Sequence, residues 1–259
     1  MPVRPTESYT RFKGQSEALL DFAVLVAYAV PVLRTELETM KSGTSTPLPK
    51  PDFFHKSSRS TADDLLQTEA TYEQRLASYL LLTHFSFFEA FVSDIIDEMI
   101  EFHGGPENFL SRNESRAKQF MAPNPPHIAK LKRKLQDSEK ASWRDRYRSY
   151  ARKLAGEGFR FPGELFGPFG LKNFIAKVKK MKAWEIPSVL VDALRLELSD
   201  AEIEAYHKTR QIRNAIAHGD TVSLSMRDAV GMNKSLRELA IKISDHFTEN
   251  FFVIEKYAP

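Results

Sequence analysis

The sequence predicts an all-α protein, a helical bundle with a basic helical insertion between its early and late helices. Three observations predict it. Apolar residues recur at intervals of three and four over long segments, and nowhere do they alternate strongly enough to mark a strand. Serine followed three residues later by an acid, Ser199 with Glu202 and Ser225 with Asp228, marks the start of two late helices, while Gly104, Gly105 and Gly219 mark helix ends. Charge is segregated: residues 127–182 hold 16 Lys or Arg against 5 Asp or Glu, although the whole chain carries only +3.

Taken in order, residues 15–41 form a first helix that Pro31 kinks or divides, because proline lacks the N–H that the helical ladder needs. Its apolar stretch "FAVLVAYAVPVL" (22–33) is too short and proline-bearing for a membrane span and reads as a buried core helix. The Ser-, Pro- and Lys-rich residues 41–61 read as a long connection. From Thr68 to Phe102, Leu76, Leu80, Phe87, Phe91, Ile95 and Met99 share one stripe of a central helix, stopped by Gly104 and Gly105. Its apolar segment 79–92 carries His84 and Glu89, so it too reads as core, with no membrane expected.

"MAPNPPH" (121–127) breaks the chain before the amphipathic basic segment 127–158, where Trp143, Tyr147 and Tyr150 stand among arginines. "EGFRFPGELFGPFG" (157–170) reads as an irregular loop packed by its phenylalanines, residues 171–182 as a basic helix, and Pro187 as the opening of a short one. A helix Asp200–His218 follows, then a long final helix along which Val230, Leu236, Leu239, Ile243, Phe247, Phe251 and Ile254 keep helical spacing. The expectation is a single domain over residues 1–259, with 103–198 a basic insertion of unassigned role.

With 42% hydrophobic residues in 259, the chain can bury a substantial core. Having no cysteine, it has no disulfide, no thiolate zinc site and no cysteine nucleophile; this and the polar N-terminus point to the cytoplasm. There is no Gly-rich phosphate loop, no His-Glu-x-x-His and no Gly-x-Ser-x-Gly. Asp94, Asp97, Glu98 and Glu101 lie at roughly helical spacing, but the Glu-x-x-His pairs of a di-iron bundle do not occur, so the row reads as a solvated acidic face. No metal and no cofactor is expected.

Most of the chemistry concentrates in "RQIRNAIAHGD" (210–220). Arg210, Asn214 and His218 follow one another at intervals of four on one face, with Arg213 on its flank. By itself this is a helix end whose cations meet the last carbonyls. Glu89, in an otherwise apolar run, needs a partner if buried, and an arginine of this helix suits it; the alternatives are another ion pair or exposure. His84 reads as a core histidine with a hydrogen-bond partner, and Arg210 and His207 as part of a solvated face, with the extension of an RNA groove as the alternative. Lys132, Arg133, Lys134, Arg144 and Arg148, interleaved with Trp143 and Tyr147, suit RNA phosphates and bases, though such faces also serve packing alone.

"RNAIAH" (213–218) resembles the R-x4-6-H signature of the HEPN superfamily, whose arginine is commonly followed by a polar residue, as Asn214 follows Arg213. "LLTHFSFFEAFVSDIIDEMI" (81–100) is similar to a core helix of prokaryotic HEPN proteins of the ribonuclease toxin type. The resemblance implies an HEPN-like bundle and a metal-independent endoribonuclease acting as a homodimer, with His218 the general acid or base, Arg213 the phosphate clamp and Asn214 an orienting residue. Glu89 and Arg210 would support them. It also implies a toxin or antiviral effector that cuts cellular RNA, possessing an antitoxin or defence-complex partner. The competing expectation is a catalytically silent HEPN-like module that binds RNA or protein within such an assembly.

Overall fold

A computed structural model describes residues 6–44, 61–109, 181–194 and 196–251, together with 111, 125–128, 130 and 153. Among the described residues the chain is all-α, without a strand. Helix α1 spans Glu7–Lys41, α2 Ala62–Glu69, α3 Tyr72–Phe102, α4 Asp200–Ala217 and α5 Met226–Asn250. The short turns Ala183–Glu185, Ile186–Ser188 and Val189–Ala193 precede α4, so this helical run begins before Pro187.

Helix α1 begins eight residues earlier than the sequence suggests, at Glu7 instead of residue 15. Distant and local groups together satisfy its first backbone donors. The Tyr9 N–H donates to Thr6 Oγ1 at 3.1 Å, and the Glu98 carboxylate accepts the Glu7 N–H at 3.0 Å, the Ser8 N–H at 2.9 Å and the Ser8 hydroxyl at 2.5 Å. A carboxylate suits that position because the helix dipole is positive there. Pro31 lies inside α1 without dividing it. The row of acids on α3 is therefore only partly a solvated face: Glu98 caps α1 and Asp94 pairs with Arg11 at 2.9 Å.

Burial overturns a second expectation for α1. Ala23 and Leu37 are buried, but Phe22, Val24, Leu25, Tyr28, Val32 and Leu33 are exposed, so the apolar run 22–33 is not a core helix all round. Both α1 and α3 are long and apolar enough to cross a membrane by length and composition; the most apolar window of α3 is 50% buried, that of α1 only 11%. Helix α3 matches its expectation in part: Leu80, Phe91, Ile95 and Met99 are buried while Leu76 and Phe87 are half-buried, and Ala77, Leu81, Phe85, Phe88, Val92 and Ile96 widen the buried face.

The chain divides into two compact units. The first comprises Met1–Phe12, Phe88–His207 and Arg237–Pro259. Its core includes Phe12, Phe88, Phe91 and Tyr206, with the Phe12 and Phe91 rings 5.3 Å apart and those of Phe88 and Tyr206 6.0 Å apart. Polar side chains tie its segments together: the Tyr206 hydroxyl donates to the Ala183 carbonyl at 2.7 Å, and Lys242 donates to the Glu202 carboxylate at 2.8 Å.

The second unit comprises Lys13–Phe87 and Lys208–Leu236. Ala23, Ala77, Leu80, Leu81, Leu224 and Ala229 form its core, and Leu19, Leu20, Ile212, Ile216 and Met232 pack against it. Within it His84 is buried with Nε2 3.0 Å from Ser16 Oγ, in agreement with a core histidine that has a partner. Gln74 reaches the Val222 carbonyl at 2.7 Å and so ties α3 to the segment that follows α4.

Candidate functional site

Both ends of α4 are set by local chemistry. At its start the Glu202 N–H donates to Ser199 Oγ at 3.3 Å, and the Ser199 N–H donates back to the Glu202 carboxylate at 2.7 Å, the reciprocal pair expected from the sequence. At its end the Gly219 N–H donates to the Ile216 carbonyl and the Asp220 N–H to the Ala215 carbonyl, both at 3.0 Å. That paired closure needs a left-handed residue, and Gly219 has φ 86°. His218, whose own N–H donates to the Asn214 carbonyl at 2.9 Å, is the last residue before the chain leaves the helix.

Burial sorts the side chains of this turn. Ile212 and Ile216 face the core of the second unit and fix the rotation of α4. Arg213 and Asn214 are half-buried, and His218 is exposed. The Arg213 guanidinium lies over the buried Phe85 ring, with Cζ 5.3 Å from the centroid, and its Nη1 donates to Asn214 Oδ1 at 3.0 Å. The ring lies beneath the cation and the amide takes one of its N–H groups, two contacts that together position the guanidinium. The structure thus joins Arg213 and Asn214 directly and leaves the His218 imidazole at the solvent edge of the same turn.

The other residues singled out from the sequence are distributed as follows. Arg210 is half-buried one turn earlier, its Nε shielded and without a hydrogen-bond partner among the described residues. Glu89 is half-buried on α3 in the first unit. His207, also in the first unit, is half-buried with its ring edge-on to Tyr206 at 5.6 Å. Lys132, Arg133, Lys134, Arg144 and Arg148 lie outside the described residues, as does most of the insertion 103–198.

Phe85 is the residue that sequence reasoning missed. It is an aromatic in a phenylalanine-rich helix, and nothing in its spacing separates a ring beneath a cation from an ordinary core ring.

The end of α4 thus brings together a buried ring, an amide and an arginine fork, one turn before an exposed histidine and a glycine closure. A family model described as RiboL-PSP-HEPN matches residues 53–249, and the chain belongs to that family. Membership brings a nuclease or RNA-binding role in general. No curated protein and no solved structure matches the chain.

Proposed function

We propose that the chain is a metal-independent endoribonuclease that acts as a homodimer on cellular RNA, as a toxin or antiviral effector. The observation that carries this reading is the pairing of a pre-set Arg213 fork with an exposed His218 at one helix end. A ribose 2′-OH attacks the adjacent phosphorus, the new O–P bond forms as the P–O5′ bond breaks, and the product ends in a cyclic phosphate that water opens to a 3′-phosphate. One base must take the 2′-OH proton and one acid must give a proton to the leaving 5′ oxygen. A protomer supplies one His218. Its symmetry mate supplies the second, and the two Arg213 forks neutralise charge on the phosphate oxygens. Asn214 keeps the fork aimed.

The test uses purified protein and mixed RNA in EDTA. Cleavage is expected with the wild type, and Arg213→Ala or His218→Ala should each lower it by at least ~100-fold while leaving the circular-dichroism spectrum and melting curve in place. Cleavage that survives both substitutions removes the site, and cleavage that requires a divalent ion removes the mechanism. RNA bound but never cut favours the silent RNA-binding module.

A further inference from the structure

Trp184 is a large ring that the fold holds in place and does not cover. It stands in the turn Ala183–Glu185 and is 47% exposed, while Glu185, Ile186 and Pro187, which follow it, are buried. Hydrogen bonds fix its seat from both sides. The Glu185 N–H donates to the Lys182 carbonyl at 2.8 Å and the Lys182 N–H donates back to the Glu185 carboxylate at 3.1 Å, an exchange that spans the ring's own residue. The Ala183 carbonyl accepts the Tyr206 hydroxyl at 2.7 Å, which fastens the turn to α4. A ring on a backbone held in this way loses little further freedom when a flat partner settles on it.

The sequence around the ring sets the charge of that partner. Residues 171–191 hold Lys172, Lys177, Lys179, Lys180 and Lys182 against a single acid, Glu185, and that acid is buried. Such a balance attracts a polyanion. The extent of apolar surface narrows the choice further. Each side of a standard protein interface buries ~800 Å², and this turn offers one ring. One ring suits one nucleobase, whose π-face stacks on tryptophan whatever the base. A base paired in a duplex keeps its faces inside the helix, so only an unpaired base reaches the ring.

We propose that Trp184 is a stacking platform for one unpaired base of the RNA, and that the substrate is single-stranded where it crosses this turn. The proposal rests on the RNA-cutting reading and adds to it the class of RNA and a contact to a base, whereas Arg213 and His218 act on phosphate and ribose. Trp184 is a positioning residue: it holds the strand and moves no proton.

The chain has two tryptophans, so Trp143→Phe leaves Trp184 as the only one, and its emission then reports on the ring directly. The probe is a mixed-sequence 2′-O-methyl oligonucleotide of about a dozen nucleotides, which lacks the attacking 2′-OH and stays whole. Titrated into the full Trp143→Phe chain, it should quench the emission. Inorganic polyphosphate should leave the emission unchanged, and the same oligonucleotide in a duplex should quench several-fold less. In a second measurement Trp184→Ala should bind the single strand about ten-fold more weakly, with its circular-dichroism spectrum and salt slope unchanged because the ring carries no charge. Trp184→Phe should recover most of that loss. The platform is overturned by emission that stays level while the probe binds, by equal quenching with polyphosphate or duplex, by an unchanged affinity in Trp184→Ala, or by a chain that binds no RNA at all. Quenching by the probe with no cutting of ordinary RNA keeps the platform and removes the ribonuclease reading; cutting without quenching does the reverse.

Discussion

Gly219 allows the motif to end where it does. Its φ of 86° is costly for any residue with a Cβ, yet a Cβ built there would meet nothing within 4 Å. The strain of a substitution is therefore wholly in the backbone. Gly219→Ala should cost about 1 kcal/mol in urea unfolding. If the left-handed closure sets the exit of His218, the same variant should lose RNA cleavage more than that cost explains under conditions where it remains folded; a proportionate loss would mean that the imidazole does not depend on the closure. Phe85 acts at the same scale. Its ring is fully buried and carries the Arg213 guanidinium on its face, so Phe85→Leu should keep most of the packing and still lower cleavage by freeing the fork. A melting curve that falls by only a few degrees beside a larger loss of rate would separate the two roles.

Among the helices, legibility followed the range of the interactions that end them. The caps at Ser199 and Glu202, at Ser225 and Asp228, and at Gly219 lie within three to five residues of their targets, so their local chemistry is visible in the sequence. Thr6 caps the start of α1 locally, but the acceptor for the Glu7 and Ser8 N–H groups is Glu98, 91 residues away from Glu7, and no local pattern announces it. The exposure of α1 was hidden for a related reason: an apolar run with no polar face does not say which side finds a partner. Tertiary contact also changed the role of Glu202, which closes the cap of α4 and accepts Lys242 of α5. Those hydrogen bonds, first from Lys242 and then from Ser199, hold its carboxyl down at about 2 against an ordinary value of 4.5. A lowered folded value means the stabilisation is complete above 4.5 and is lost as pH falls toward 2. The Glu202 side chain is 38% exposed, so solvent screening keeps the pair to about 0.5 kcal/mol. Glu202→Gln, which can still cap, should be less stable than wild type by that amount at pH 7, and the gap should close between pH 4.5 and 2 when urea unfolding is followed across that range. A gap that persists at pH 2 would mean the loss comes from packing and not from the charge.

Over the whole molecule, charge is segregated along the chain. The net charge is +3, but residues 127–182 contribute 16 bases against 5 acids, so the remainder of the chain is acidic overall. The motif turn itself supplies Arg210, Arg213 and His218, few cations for gripping a polyanion along its length. In the ribonuclease reading the basic block therefore provides a sequence-independent hold through counterion release, and the helix end provides the chemistry. Each phosphate contact on single-stranded RNA contributes about 0.7 to the dependence of log affinity on log salt, so replacing Lys132, Arg133 and Lys134 together by Gln should flatten that slope by about 2. Binding should weaken at low salt, and the rate of cutting at saturating RNA should stay within a few-fold of wild type. His218→Ala should do the reverse, leaving the slope in place and stopping the cut. Filter binding from 50 to 200 mM salt, as an order-of-magnitude range, beside single-turnover cleavage gives both readings from the same preparations. If the triple variant keeps its slope, the basic block serves packing and RNA must be gripped elsewhere; if it loses cutting at saturation, hold and chemistry are not separable in this fold.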